Sequence, residues 1–116
     1  MPNFKIFHNP HCSKSRQALA LLQENGIQPE IVEYLKTPPT KKEISEIIKL
    51  LGITPQELMR KNEDDYLQAN LADPSLSTKQ QIELMVAYPK VIERPIVVGN
   101  GKAAIGRPPE NVLKII

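Results

Sequence analysis

Cysteine occurs once in the 116 residues, at position 12. That scarcity excludes an internal disulfide, so the fold rests on packing, as expected in a reducing cytosol. Any two-thiol redox cycle must therefore take its second sulfur from another molecule. Histidine occurs only at positions 8 and 11, beside that cysteine and with no second cluster elsewhere, which leaves no credible metal site. No apolar run reaches transmembrane length, and the leading Met-Pro-Asn-Phe-Lys lacks the apolar segment of a signal peptide. The expected location is the cytoplasm, with no membrane partner. Charge excess is missing as well: 15 basic residues stand against 13 acidic ones, a net +2. That balance gives no reason to expect nucleic acid or an anionic membrane as the main partner. Internal repeats, linkers and low-complexity segments are absent. Residues 1–116 therefore read as one compact domain, large enough to bury a core.

What is present is a clear order of elements. Phe4-Lys-Ile-Phe7 alternates apolar and polar residues like a short strand. Asn9-Pro10 marks a turn, and a helix begins near Cys12 or Ser13, burying Ala18, Leu19, Leu21 and Leu22 and stopping at Asn25-Gly26. Glu30 to Tyr34 reads as a second strand, so the first third is a βαβ unit with parallel strands. Thr40-Lys-Lys-Glu43 fits a capping box ahead of Ile44, Ile47, Ile48 and Leu51, with Gly52 closing that helix. Thr54-Pro-Gln-Glu57 starts a further helix, with Pro55 where no N–H is needed. Short helix and loop follow over Asn62 to Ala72. Ser77-Thr-Lys-Gln80 opens another helix, with Ile82, Met85 and Val86 inward. Pro95–Val98 and Lys102–Ile105 are β-rich runs around Gly99-Asn-Gly101, a hairpin signal. After Pro108-Pro109 a final helix carries Val112, Leu113 and Ile116. The order is β-α-β, a helical insertion at about 40–89, then β-β-α.

The stretch His8-Asn-Pro-His-Cys-Ser-Lys-Ser-Arg16 places the thiol where strand turns into helix. A lone cysteine is commonly a small buried hydrophobe. Here the position favours chemistry instead, because the thiolate is the nucleophilic form and a helix N-terminus stabilises an anion. The unpaired N–H groups of Ser13 to Ser15 can point at the sulfur, and the Ser15 hydroxyl can turn back toward it. His8, His11, Lys14 and Arg16 each offer positive potential, and His8 ends the strand facing the helix start. The catalytic candidates are Cys12, His8 and Ser15. A phosphatase loop of the form C-x5-R is rejected, since position 18 is alanine and Arg16 falls inside the helix.

Four segments, "HNPHCSKSR", "LMRKNE" (58–63), "ERPIVV" (93–98) and "GRPPENVL" (106–113), together resemble the ArsC family of glutaredoxin-linked arsenate reductases. The resemblance spans essentially the whole chain, in the same motif order, and is similar to the short chromosomal branch of that family. It implies an α/β, thioredoxin-like fold with a mixed central sheet and a helical insertion. It implies that Cys12 is the nucleophile, that Arg60, Arg94 and Arg107 hold the oxyanion, and that His8 lowers the thiol pKa. It implies a cis peptide bond at Arg94-Pro95. It further implies arsenate as substrate, glutathione as co-substrate with no tightly bound cofactor, and glutaredoxin as the partner that regenerates Cys12. Guanidinium forks suit a tetrahedral oxyanion and offset its repulsion from a thiolate.

Two other readings stand beside this one. A regulator resembling Spx, binding RNA polymerase through the same fold, commonly carries a C-x-x-C switch; here Ser15 occupies the second position. A glutathione-dependent reductase of another substrate would share the same nucleophile.

Overall fold

The computed structural model describes residues 3–116, which form two compact units. The first, residues 3–37 with 94–116, holds a four-stranded sheet: β1 (Lys5–His8), β2 (Glu30–Glu33), β3 (Ile96–Gly99) and β4 (Lys102–Ile105), in the spatial order β2-β1-β3-β4. β1 runs parallel to β2 and antiparallel to β3, and β3 pairs antiparallel with β4. The sheet is mixed, and the arrangement is thioredoxin-like. The parallel pair follows from the crossover through α1 (Ser13–Glu24), which a short hairpin cannot replace.

Sequence chemistry sets the ends of these elements. Asn25 and Gly26 stop α1 through Gly26 N–H to Gln23 O at 3.0 Å and Ile27 N–H to Leu22 O at 2.9 Å, with Gly26 at φ +76°. Asn100 and Gly101 both take positive φ (56° and 71°), which is what a two-residue type I′ hairpin turn requires. On one face of the sheet, Phe4, Ile6, Val97 and Ala104 pack with Ala18 and Leu22 of α1 and with Val112 and Ile115 of the C-terminal segment. Leu19, Leu21 and Ile27 close the edge of this core.

The final helix differs from the sequence expectation. Pro109–Ile115 is a 3₁₀ helix, and it buries Pro109, Val112 and Ile115 while Leu113 and Ile116 are exposed. A three-residue turn puts positions 109, 112 and 115 on one side, whereas an α-helical repeat would have put 112, 113 and 116 there. Both Arg94-Pro95 and Arg107-Pro108 are cis.

The second unit, Pro38–Glu93, is built of helices: α2 (Lys41–Leu51), α3 (Asp64–Gln68) and α4 (Thr78–Ala87). The boxes at Thr40/Glu43 and Ser77/Gln80 are both formed, each with reciprocal side-chain and backbone bonds. Thr54 and Glu57 bond each other in the same way, but only the 3₁₀ turn Gln56–Leu58 follows rather than a full helix. The chain there is drawn into an extended pairing of Met59 with Ile92, with Arg60 N–H to Val91 O at 2.6 Å and Glu93 N–H to Leu58 O at 2.7 Å. No helix among the described residues is long and apolar enough to cross a membrane.

Candidate active site

Cys12 is the N-cap of α1, in extended conformation (φ −98°, ψ 122°), and its side chain makes no cap hydrogen bond. The first turn of α1 also carries no acidic residue. The anion-attracting end of the helix is thus left to the sulfur. The half-buried thiol responds. Burial pushes its pKa up, but the Ser15 N–H, a hydrogen bond from the Arg94 side chain, the Lys14 N–H and the Arg94 charge together outweigh that and bring it below its ordinary value. Arg107 Nη2 lies 3.7 Å from Sγ.

The loop between β1 and α1 is tightly tied. Cys12 N–H donates to Asn9 O at 3.0 Å, and His11 N–H donates to Asn9 Oδ1 at 3.0 Å. Ser15, fully buried, accepts the Asn9 N–H on its hydroxyl at 3.0 Å, and the same Oγ lies 2.6 Å from His8 Nδ1. This corrects one expectation. It is the Ser15 backbone N–H, not its hydroxyl, that serves the sulfur. A buried hydroxyl needs partners, and Asn9 and His8 supply them.

The role expected of His8 is also revised. Burial pulls its pKa down, the Glu33 carboxylate pushes it up and the Arg16 charge pulls it down again, leaving it below the ordinary histidine value. This favours the neutral ring, which brings no added charge to the sulfur. Ser15 Oγ accepts the Asn9 N–H and also shares a hydrogen bond with Nδ1 in which the histidine tautomer sets the donor. His8 and Ser15 are a neutral pair beneath the loop. His11, Lys14 and Arg16 are exposed, and none of their side chains is among the groups that lower the thiol pKa.

The cations at the sulfur come from the other end of the unit. Arg94 and Arg107 each precede a cis proline, and Arg107 Nε donates to the Arg94 carbonyl at 2.9 Å. Asn111 Nδ2 holds the Arg107 carbonyl at 3.0 Å, and Gly106 N–H holds the Pro95 carbonyl at 2.9 Å. The first unit therefore joins Cys12, His8, Ser15, Arg94 and Arg107. Arg60 belongs to the second unit, where its guanidinium stands 3.6 Å from a Glu63 carboxylate oxygen and 3.9 Å from one of Glu93. Sequence reasoning missed Asn9, whose backbone and side chain organise the loop, and Gly106, where a side chain would strike Pro95. Only the Asn-Pro turn signal pointed toward the first of these.

A thiolate at a helix start, with two guanidinium groups on it, can attack an electrophilic centre carrying oxyanion oxygens. Known proteins resemble the chain over nearly its whole length. The chain matches the ArsC family model over residues 7–115. The uncharacterized protein YfgD of Escherichia coli (strain K12) is 57% identical, over 97% of this chain and 95% of its own length. An arsenate reductase of Neisseria meningitidis serogroup A is 46% identical, with 100% of each chain covered. Among solved structures, an arsenate reductase from Vibrio cholerae superposes with a TM-score of 0.93 at 46% identity, covering 98% of each chain.

Proposed function

The chain belongs to the ArsC family, and from that premise we propose that it reduces arsenate to arsenite, with Cys12 as nucleophile and with glutathione and glutaredoxin supplying the electrons. The observation that carries this reading is the environment of the sulfur: N–H groups of Ser15 and Lys14 and the Arg94 side chain stabilise the thiolate, with Arg107 alongside. Such donors serve both the nucleophile and the oxygens of a tetrahedral anion brought to it. Arg60 enters the same reading through the family resemblance.

The thiolate attacks arsenic and one arsenate oxygen leaves as water, giving a Cys12–As(V) adduct. A glutathione thiolate then attacks the Cys12 sulfur. The S–As bond breaks, its electron pair stays on arsenic, and arsenite departs as As(III) while a Cys12–glutathione disulfide forms. One equivalent each of protein thiol, glutathione and arsenic acid gives mixed disulfide, arsenous acid and water. Glutaredoxin removes the glutathione by thiol–disulfide exchange, which suits a chain whose single cysteine cannot resolve the disulfide itself.

The direct test is purified protein with arsenate, glutathione and glutaredoxin, following arsenite. Arsenite formation that needs all components and disappears in Cys12→Ser supports the reading. Mixed-disulfide turnover without any arsenite would assign the site to another substrate.

A further inference from the structure

Two consecutive residues of α1 reach back six positions across the loop that carries the thiol. Ser15 does so from the buried side, its Oγ accepting the Asn9 N–H at 3.0 Å. Arg16 does so from the exposed side, its Nη1 donating to the Pro10 carbonyl at 2.8 Å. Cys12 lies between the two ties, and the Arg16 N–H bonds the Cys12 carbonyl at 3.0 Å. The arginine is therefore fastened to the loop at both ends, by its backbone to the nucleophile and by its guanidinium to the turn before it.

Several features separate this contact from an idle surface bond. Arg16 has no carboxylate partner among the described residues, so its charged fork is directed at a neutral carbonyl rather than at an ion pair. Pro10 has no N–H, and the bond from Arg16 is the one hydrogen bond it makes among the described residues. The side chain gives up rotamer freedom to hold it, which a free surface arginine would keep. With the bond gone, the exposed side of the turn at Pro10 would hang only on Asn9, whose carbonyl and side chain accept from Cys12 and His11.

We propose that Arg16 is a positioning residue for Cys12: by holding the Pro10 carbonyl it fixes the turn that sets the sulfur at the start of α1. Its catalytic meaning rests on Cys12 being the nucleophile, but the tie itself is independent of the substrate. It acts through the backbone, so its loss should register first in loop opening and only then in thiol chemistry.

The test compares Arg16→Met with Lys14→Met, which removes an equal charge from the same exposed turn but breaks no bond to the loop. Amide hydrogen exchange of His11 and Cys12 reads the loop, and iodoacetamide alkylation across pH reads the sulfur, both without arsenate. In Arg16→Met the Cys12 amide should exchange roughly fivefold faster, the order expected for one lost hydrogen bond, and the alkylation midpoint should move up. Lys14→Met should leave the exchange rate where it was. Arg16→Gln, whose amide is too short to reach Pro10, should repeat the Arg16→Met result and guards against a misfolded variant. Unchanged Cys12 exchange in both Arg16 variants would overturn the proposal, as would an equal effect from Lys14→Met, which would make charge the cause. A wild-type thiol that alkylates like a free cysteine would instead count against the reductase reading and leave the exchange comparison to decide the role of Arg16.

Discussion

Arg107 Nη2 stands 3.7 Å from Cys12 Sγ, although 95 positions separate the two residues in the chain. The hairpin makes that meeting possible. β3 lies beside β1, β4 returns along β3, and Arg107 comes two residues after the end of β4, near where α1 begins. The Arg94 carbonyl then fixes the guanidinium by accepting from Nε at 2.9 Å, with Nη2 facing the sulfur.

The thiol should titrate below an ordinary cysteine, and alkylation rate against pH measures it. Because the folded pKa is depressed, the thiolate stabilises the fold above the unfolded value, and this contribution disappears as pH falls through the folded one. Arg94→Ala removes both a hydrogen bond and a charge from the sulfur, so its alkylation midpoint should rise. A midpoint unchanged by Arg94→Ala would deny the arginine its part in activation.

Sulfate or phosphate should protect Cys12 from alkylation, since the same donors accept a tetrahedral anion. Arg94→Ala or Arg107→Ala should weaken that protection by about 1.5–3 kcal/mol, the usual scale for a charged hydrogen bond, or roughly ten- to a hundredfold in anion concentration. Protection indifferent to both substitutions would remove the physical basis for an oxyanion site.

His8 makes the loop acid-sensitive. Its folded pKa is depressed, so its contribution to stability is present above the unfolded value of about 6.5 and is lost as pH falls through the lower folded value. A protonated Nδ1 can only donate to the Ser15 hydroxyl, whose own proton must then point elsewhere. Urea midpoints taken from pH 7 to pH 5 should fall more steeply for the wild type than for His8→Gln, which cannot titrate; parallel curves would contradict this.

Gly106 carries the closest packing constraint near the arginines. A Cβ there would sit 2.7 Å from Pro95 Cγ and 3.2 Å from Ala18 Cβ, and neither the proline ring nor the helix yields easily. Gly106→Ala should cost about 1–3 kcal/mol in urea unfolding, the range for overpacking. It should also weaken sulfate protection, because Pro95 adjoins Arg94. Full stability and full protection would show that the segment relaxes freely.

Much of this architecture was legible in the chain itself. Capping boxes at Thr40 and Ser77, the Asn25-Gly26 and Gly52 stops and the Asn100-Gly101 turn are local signals, and local backbone chemistry decides them. The position of Cys12 at a helix start was equally readable. Less legible were features that depend on tertiary surroundings. The 3₁₀ form of Pro109–Ile115 is a choice between two helical repeats made by the core that receives Val112 and Ile115. The neutral state of His8 follows from burial, and the turn of the Ser15 hydroxyl toward it follows from a hydrogen-bond partner seven positions away. Arg16 looked like one more cation near the thiol, and only geometry reveals the bond to Pro10.

A sulfur in the cap position of α1 has a price in robustness. At the start of α2 and α4, threonine and serine accept the N–H that each helix end leaves unpaired; at the start of α1 the protein keeps a sulfur in that place. Cys12→Ser would install the preferred oxygen in a backbone conformation already suited to it, and should raise stability by about 1 kcal/mol while removing the thiol. The gain should be larger in mild acid, where the thiol is protonated, than in base, where the thiolate partly serves as its own cap. Thermal melts of the two proteins at several pH values would show it. Cys12 would then be a standing trade of endurance for reactivity, set at one atom.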